Sequence, residues 1–515
     1  MCQTIALLLL NSVPAESYEL SIYANISIFV YILIFISTFG GFSIVFLSLS
    51  ERYDKNWVIG YSILLLGLFI YLILPIIKGY VFYGMGDVLT HIGIVKDILI
   101  FKHVAVDNFY PIMHLWISTF SLTANMPITS IVKYLTPIYA IFFVISLYFM
   151  NKSIFKEERT KVIIASVLGT IPFFMTYYTQ MIPNGISFMM LPLIFYLYFN
   201  RNKVSYSILL VIYLILIPFS HPLTTIMLFV FFLTIELSKN LYYRKNLRYK
   251  ISINSLLILL ITFFTWISTS YIFARSLSNL GHWIRGELYA PSGTIVLSLD
   301  KLKLSLSERI ILFLKMYGSE LILISLSILA CYILLKKFRS GSNYQDGNIF
   351  AIFGCEFVAI ILFFVFMFTG DPNFQAMRSL TFIFFLTVPL GGYGLSELIK
   401  IIKSLSFKKY LITTFMIIFI LTAGAMTGFL ALYDSPNIYQ PSAGVMKSEL
   451  SGWNWFFQNK VQSNYTYTQN NLRLEASSSW RYSEMLYGCQ ATNDSDVGKY
   501  EGWEVVPDNL GYDSY

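Results

Sequence analysis

Runs of about 20 residues almost without charge recur along this 515-residue chain, and each is long enough to carry a helix across about 30 Å of hydrocarbon. Lipid cannot satisfy backbone N–H and C=O groups, so a segment inside it must be a helix or part of a closed barrel. Barrel strands alternate polar and apolar residues over about ten positions. The runs here are continuous, which selects helices. With 56% apolar and only 12% charged residues, the chain lies far from the composition of a soluble domain.

Apolar length and flanking charge place spans near 26–49, 57–77, 131–150, 162–181, 183–200, 204–220, 222–238, 251–274, 310–335, 349–369, 379–397 and 410–432. The fold class expected is therefore an all-α membrane protein of about twelve transmembrane helices. With the N-terminus outside, the inner connections 51–56, 151–161, 201–203, 239–250, 336–348 and 398–409 hold 20 Lys and Arg in 57 residues. The outer segments 1–25, 78–130, 276–308, 370–378 and 434–515 hold 12 in 202. Positive residues concentrate on the cytoplasmic side of membrane proteins, so this asymmetry orients the chain in a cell membrane, with both termini extracytoplasmic. The net charge of +8 is accordingly a topological signal, and no nucleic-acid partner is expected.

The apolar stretch Tyr110 to Ala124 is short and contains His114; counting it as a span would place KNLYYRKNLRYK (239–250) outside. Residues 78–130 therefore read as one long outer connection with interfacial or re-entrant helices. The chain divides into a polytopic domain, 1–433, and an outer C-terminal tail or small domain, 434–515, whose composition turns to Ser, Asn, Tyr and Asp. The N-terminal MCQTIALLLLNSVPAES lacks the basic region of a secretory signal and reads as part of the mature protein. Asn25, Asn464 and Asn493 open N-x-S/T triplets on the outer side, a pattern common by chance.

No Walker loop, GxGxxG, HExxH or GxSxG motif is present, which removes nucleotide-driven transport and standard hydrolase chemistry from the leading candidates. The four cysteines form no CxxC spacing. Polar residues gather instead in GMGDVLTHIGIVKDILIFKHVAVDNFYPIMHL. Asp87 and His91 lie four apart and share a face if the segment is helical. Asp97, His103, Asp107, Tyr110 and His114 follow, and a solvated outer loop also explains such a segment. All five histidines, His91, His103, His114, His221 and His282, fall on the outer side. His221, in SHPLT between two apolar runs, is a polar group needing a reason, though a turn histidine satisfies the same pattern. TQMIPNG places Gln180 and Asn184 at the outer mouth, and GDPNFQAMRS ends on Arg378. Arginine at headgroup depth suits phosphate pairing, and equally a snorkelling anchor.

This arrangement resembles the polytopic GT-C glycosyltransferases, which take a sugar from a polyprenyl-phosphate carrier on the outer face of a membrane. In that class a helix leads to a long first outer loop with an essential acid near its start; 57–77 and Asp87 of GMGDVLTH correspond. Spans joined by tight outer turns follow, as at MIPNG and SHPLT, then a large outer loop, as at 276–308. The order GD…H, YPxxH at 110–114, HPLT and an outer arginine is similar to that of uncharacterised prokaryotic, often archaeal, members. The likeness covers about 57–400.

The resemblance implies a membrane lipid environment, a polyprenyl-phosphate sugar donor, and an acceptor glycan, lipid or protein hydroxyl. Asp87 would be the catalytic base. His91, Tyr110, His114, Gln180, His221 and Arg378 would bind sugar or phosphate, and Trp116 is a further candidate for sugar stacking. Oligosaccharyltransferases of the class use a divalent metal and a WWDYG-like motif in a large C-terminal domain. GWNWF at 452–456 lacks that acid, and Val88 follows Asp87 where mannosyltransferase-like members carry an acidic pair. The expectation is therefore inverting transfer with no cofactor and no metal.

Two other classes remain open from the residues alone. One is a transporter or flippase, for which Glu320 and Glu356 would be the intramembrane charges. The other is a surface-polysaccharide polymerase or ligase using Arg285, Lys301, Lys303 and Arg378.

Overall fold

The structure, a computed structural model, describes residues 1–15, 18–49, 55–105, 108–156, 158–173, 176–243, 252–269, 304–340, 347–369, 376–459 and 476–489. Asp107, His282, Arg285, Lys301, Lys303, Asn464, Asn493, most of the 276–308 loop and part of 239–250 lie outside the described residues. Among the described residues, seven helices are long and apolar enough to cross a membrane: Ile28–Ser48, Ile128–Phe155, Pro222–Tyr243, Leu306–Ser340, Gly347–Met367, Arg378–Lys403 and Phe407–Leu430. Shorter apolar helices cover Cys2–Asn11, Trp57–Leu72, Pro183–Phe199, Val204–Ser220 and Asn254–Ile267. The chain is a multi-pass helical membrane protein.

Several expected spans are not continuous helices: 57–77 divides into Trp57–Leu72 and Leu74–Ile77 at Ile73, and 162–181 and 183–200 are broken further. The run 162–181 gives a helix only over Arg159–Leu168, because Gly169 and Pro172 follow and the chain resumes helix at Thr176–Thr179. Residues 161–168 are all buried, so their apolar character serves protein packing. The run 183–200 divides into Pro183–Met189 and Leu191–Phe199, with Pro192 near the start of the second piece. Proline lacks the N–H an interior turn requires, which places it where a helix begins.

Helix Ala376–Lys403 is the central strut, packed between helices Leu306–Ser340, Gly347–Thr369 and Arg159–Leu168. Its GGYG sequence permits the approach: a Cβ on Gly392 would lie 2.3 Å from the Ala165 Cβ, and one on Gly394 2.3 Å from the Leu326 carbonyl oxygen. Small residues let helices pack closely in lipid, where hydrophobicity supplies no drive between them. Arg378 sits in the first turn of this strut and inherits its rigidity.

We label the elements that build the site in chain order. Strand β1 is Phe82–Tyr83, helix α1 is Asp87–Phe101 and helix α2 is Pro111–Ala124. Strand β2 is Gly444–Val445, and helices α3 and α4 are Lys447–Asn459 and Ala476–Tyr487. β1 pairs antiparallel with β2, Phe82 opposite Val445 and Tyr83 opposite Gly444. The approach to β1 is anchored by Lys78, which is 1% exposed. Its ammonium pairs with Glu19 at 2.7 Å and donates to the Ala24 carbonyl at 2.9 Å. A charge so deeply buried needs such partners.

Candidate functional site

The turn before α1 presents an acid by backbone conformation. Gly84 and Gly86 have φ of 119° and 75°, a region open to glycine and strained for other residues. A Cβ on Gly84 would lie 2.6 Å from Val88 Cγ2, and one on Gly86 3.1 Å from Arg481 Nη1. Gly86 caps α1 and Asp87 is its first residue, where a carboxylate meets the positive end of the helix dipole. Asp87 Oδ1 accepts from Arg481 Nη1 at 2.6 Å, yet the Asp87 side chain is still 63% exposed. Most of the carboxylate therefore faces open space.

One turn along α1, His91 Nδ1 lies 3.0 Å from His114 Nε2, and His114 Nδ1 lies 2.9 Å from Asn108 Oδ1. The same Asn108 oxygen accepts from the Tyr110 backbone N–H at 3.2 Å, an Asx turn that starts α2 just before Pro111 at its first position. His114 is fully buried. Tyr110 stacks on His221, with centroids 5.3 Å apart and planes 14° apart, and its edge meets the His91 ring at 6.4 Å.

His221 is held between Pro218 and Pro222 in extended backbone, φ −166° and ψ 128°. It is 6% exposed, and its Nδ1 makes no hydrogen bond among the described residues. On the next turn of the same segment, Thr224 Oγ1 meets Ser187 Oγ at 2.8 Å. Asn184 hydrogen-bonds Tyr177 and lies 3.4 Å from Thr224 Oγ1. Gln180 packs beside Gly84, 3.2 Å from where a Cβ on that glycine would be.

The charges bind this group into one electrostatic unit. Burial pushes the His91 imidazole down to about 4, opposed by Asp87 and assisted by Arg481. Burial likewise holds His114 well below the usual imidazole range, with His91 adding to the effect. His221 is pushed down to about 3 by burial, then by Arg378 and His91. Burial raises the Tyr110 phenol, which Arg378 lowers and Asp87 raises. Burial thus favours the uncharged form of all three imidazoles, beside the Asp87 carboxylate and the Arg378 and Arg481 guanidiniums.

The structure thus brings Asp87, His91, Tyr110, His114, His221 and Arg378 together, with Gln180 at the edge beside Gly84. Trp116 instead stacks on Tyr139, at 6.0 Å and 2°. His103 is exposed and bonds the Phe101 carbonyl at 3.1 Å, while Asp97 is buried and accepts from the Cys489 backbone at 2.9 Å. Glu356 accepts from Ser327 at 2.8 Å, and Glu320 from Ser319 at 2.7 Å. Among the described residues, no group of three or more His, Cys, Asp or Glu side chains is arranged to hold a metal ion.

Two residues of the cluster were not legible as such. Asn108 carried no signal apart from its position just before a proline-started helix. Arg481 stands 394 residues from Asp87 in a segment without a recognisable motif. It arrives on α4, which packs along α1: Thr90 donates to Glu484 at 2.7 Å, Lys96 to the Leu486 carbonyl at 2.5 Å, and Gly93 leaves room for the Glu484 backbone. Trp453 of α3 stacks on Tyr482 of α4 at 5.1 Å, so GWNWF contributes a packing ring to the tail.

No family model matches the chain, and no curated protein does. Solved structures similar to it include the archaeal oligosaccharyltransferase AglB from Archaeoglobus fulgidus in complex with an inhibitory peptide and a dolichol-phosphate. That match has a TM-score of 0.48 and 12% identity, over 80% of this chain and 59% of that one. Another is an Archaeoglobus fulgidus oligosaccharyltransferase complex with Zn and sulfate, with a TM-score of 0.42 and 14% identity, over 76% of this chain and 55% of that one. The chain thus spans just under three fifths of the length of these proteins. At such identities the likeness assigns no role to any residue here.

Proposed function

We propose that the chain is a GT-C-like membrane glycosyltransferase that moves a sugar from a polyprenyl-phosphate carrier to an acceptor hydroxyl on the outer face of the cell membrane. The observation that carries this reading is convergence. A mostly exposed carboxylate, imidazoles held toward their neutral form and two guanidiniums, drawn from five distant stretches of sequence, come together in one cluster.

Asp87 takes the proton of the acceptor hydroxyl as its oxygen attacks the anomeric carbon. The bond from that carbon to the phosphate oxygen breaks with its electron pair, and the sugar is inverted. A phosphate is already a good leaving group, so one positioned base and cations for the phosphate suffice. Arg481 fixes one Asp87 oxygen and leaves the remainder of the carboxylate open. Arg378 neutralises the phosphate, and His221, with its unpartnered Nδ1, supplies a neutral hydrogen-bonding edge beside it. Tyr110 offers an aromatic face backed by His221, and Gln180 an amide at the rim. Holding donor and acceptor together supplies the rest of the acceleration. Outward placement of the site, with the N-terminus and tail, rests on the asymmetry of basic residues between loops.

The test is sugar transfer from a polyprenyl-phosphate donor, assayed in membranes containing the full chain and Asp87→Asn. Transfer falls by about 10²–10⁴ while the amount of folded protein is unchanged. Retained activity removes Asp87 from the role. In a deletion strain, a glycan lacking one sugar supports transfer, whereas accumulation of an intact lipid-linked precursor supports a flippase.

A further inference from the structure

The hydrogen bonds around His91 fix its proton. Asn108 Oδ1 receives the Tyr110 backbone N–H, and a backbone amide can only donate, so that atom is the oxygen and not the nitrogen of the side-chain amide. His114 Nδ1, 2.9 Å from the same oxygen, must then carry a hydrogen. A neutral imidazole bears one hydrogen, so His114 Nε2 is an acceptor, and His91 Nδ1 at 3.0 Å must be its donor. His91 is neutral as well, which leaves its Nε2 with a bare lone pair. That atom lies on the ring edge turned away from His114 and is not among the buried unpartnered atoms.

We propose that Asn108 and His114 are positioning residues that hold His91 as its Nδ1–H tautomer, so that Nε2 accepts a hydrogen bond from a substrate hydroxyl beside Asp87. The proposal rests on the glycosyl-transfer reading for its substrate, since sugars and their acceptors present hydroxyls as donors. No proton is transferred in this contact; the hydroxyl donates and the imidazole accepts. Asn108 is 6% exposed and His114 fully buried, so neither is placed to meet substrate, and their effect must pass through His91. The charged or titratable groups facing this chain are Asp87 and Arg481 at one end of His91, Tyr110 along its edge, and His221 and Arg378 beyond Tyr110.

The tautomer is read without substrate, from ring-nitrogen spectra of the full chain labelled with 15N-histidine, with His91→Phe assigning the signal. An unprotonated Nε2 on His91 is expected, and a protonated Nε2 overturns the proposal. In the transfer assay, His91→Gln keeps an acceptor oxygen and His91→Phe keeps only bulk. His91→Phe is expected to lose roughly tenfold to a hundredfold in kcat/KM, as for an unmet hydrogen bond, with His91→Gln well above it. Equal rates for the two variants mean that the residue only fills space, and overturn it. A loss that falls on donor KM assigns the hydroxyl to the transferred sugar, and one on acceptor KM to the acceptor.

Asn108→Asp keeps the acceptor oxygen but favours an imidazolium at His114. That would reverse the relay, so the acid limb of the pH–rate profile moves to higher pH. An unmoved limb overturns the relay. If the wild-type chain transfers no sugar while the spectra show a bare Nε2, the enzyme reading fails and the relay stands.

Discussion

Two polar clusters, toward opposite ends of helix Pro222–Tyr243, are built on opposite principles. Around Glu236, which is fully buried, the bonds close on themselves. Tyr198 donates to Oε1 at 2.7 Å, Arg201 pairs with it at 2.6 Å, the Ser252 backbone donates to Oε2 at 2.9 Å, and the Arg201 guanidinium lies 4.1 Å over the Tyr198 ring. Around Asp87 the bonds stay open: the carboxylate is mostly exposed, and both His221 Nδ1 and Asn108 Nδ2 have no partner among the described residues. An unmet buried polar atom costs about 1–3 kcal/mol, so a closed cluster is what stability alone favours. The open one leaves most of the Asp87 carboxylate and His221 Nδ1 without a partner among the described residues. Between these two clusters, completeness of hydrogen bonding is the difference.

That contrast breaks most readily at Glu236. Glu236→Ala strands Arg201 and is expected to cost about 3–5 kcal/mol of stability, read as loss of folded protein and a lower unfolding midpoint in detergent. Transfer per folded molecule should not change. A variant that stays folded but loses turnover would make the closed cluster part of the site.

Acid should act in the opposite place. His91, at about 4, and His221, at about 3, lie below the ordinary 6.5. Between those values and 6.5 the folded state binds fewer protons than the unfolded one. Stability is therefore fully present above pH 6.5 and is lost as pH falls toward 4 and below. For His91 the difference corresponds to about 3–4 kcal/mol. An unfolding midpoint followed from pH 7.5 to 4 should fall, and His221→Phe should flatten the curve. A midpoint independent of pH in that window would show that burial of the imidazoles does not control it.

The smallest effect is Arg378→Lys, which keeps the charge but loses the planar fork. Donor KM should rise about tenfold with little change in kcat. An unchanged KM would leave Arg378 as an anchor at a helix end.

The helical class was readable because lipid imposes a length on every span, and period and charge report it. Asp87 and His91 could be paired because four residues on a helix restore the same face, and His221 stood out as a costly polar group in an apolar setting. Tertiary choices were not readable. Hydropathy does not distinguish residues apolar for lipid from residues apolar for protein, so 162–181 looked like a span although Gly169 and Pro172 divide it. Nor could a local pattern connect Asn108 to two histidines, or Arg481 to an acid 394 residues earlier.

The pairing of Arg481 with Asp87, and of β2 with β1, has a consequence in time. During synthesis the acid on α1 is made early, while the guanidinium that pairs with it follows 394 residues later and folds back onto it, as β2 does onto β1. The nascent chain therefore carries the Asp87 carboxylate through insertion of the intervening helices before its Arg481 partner exists. Docking of α4 on α1 is therefore a late step of folding, possible only after all the helices between them have been made.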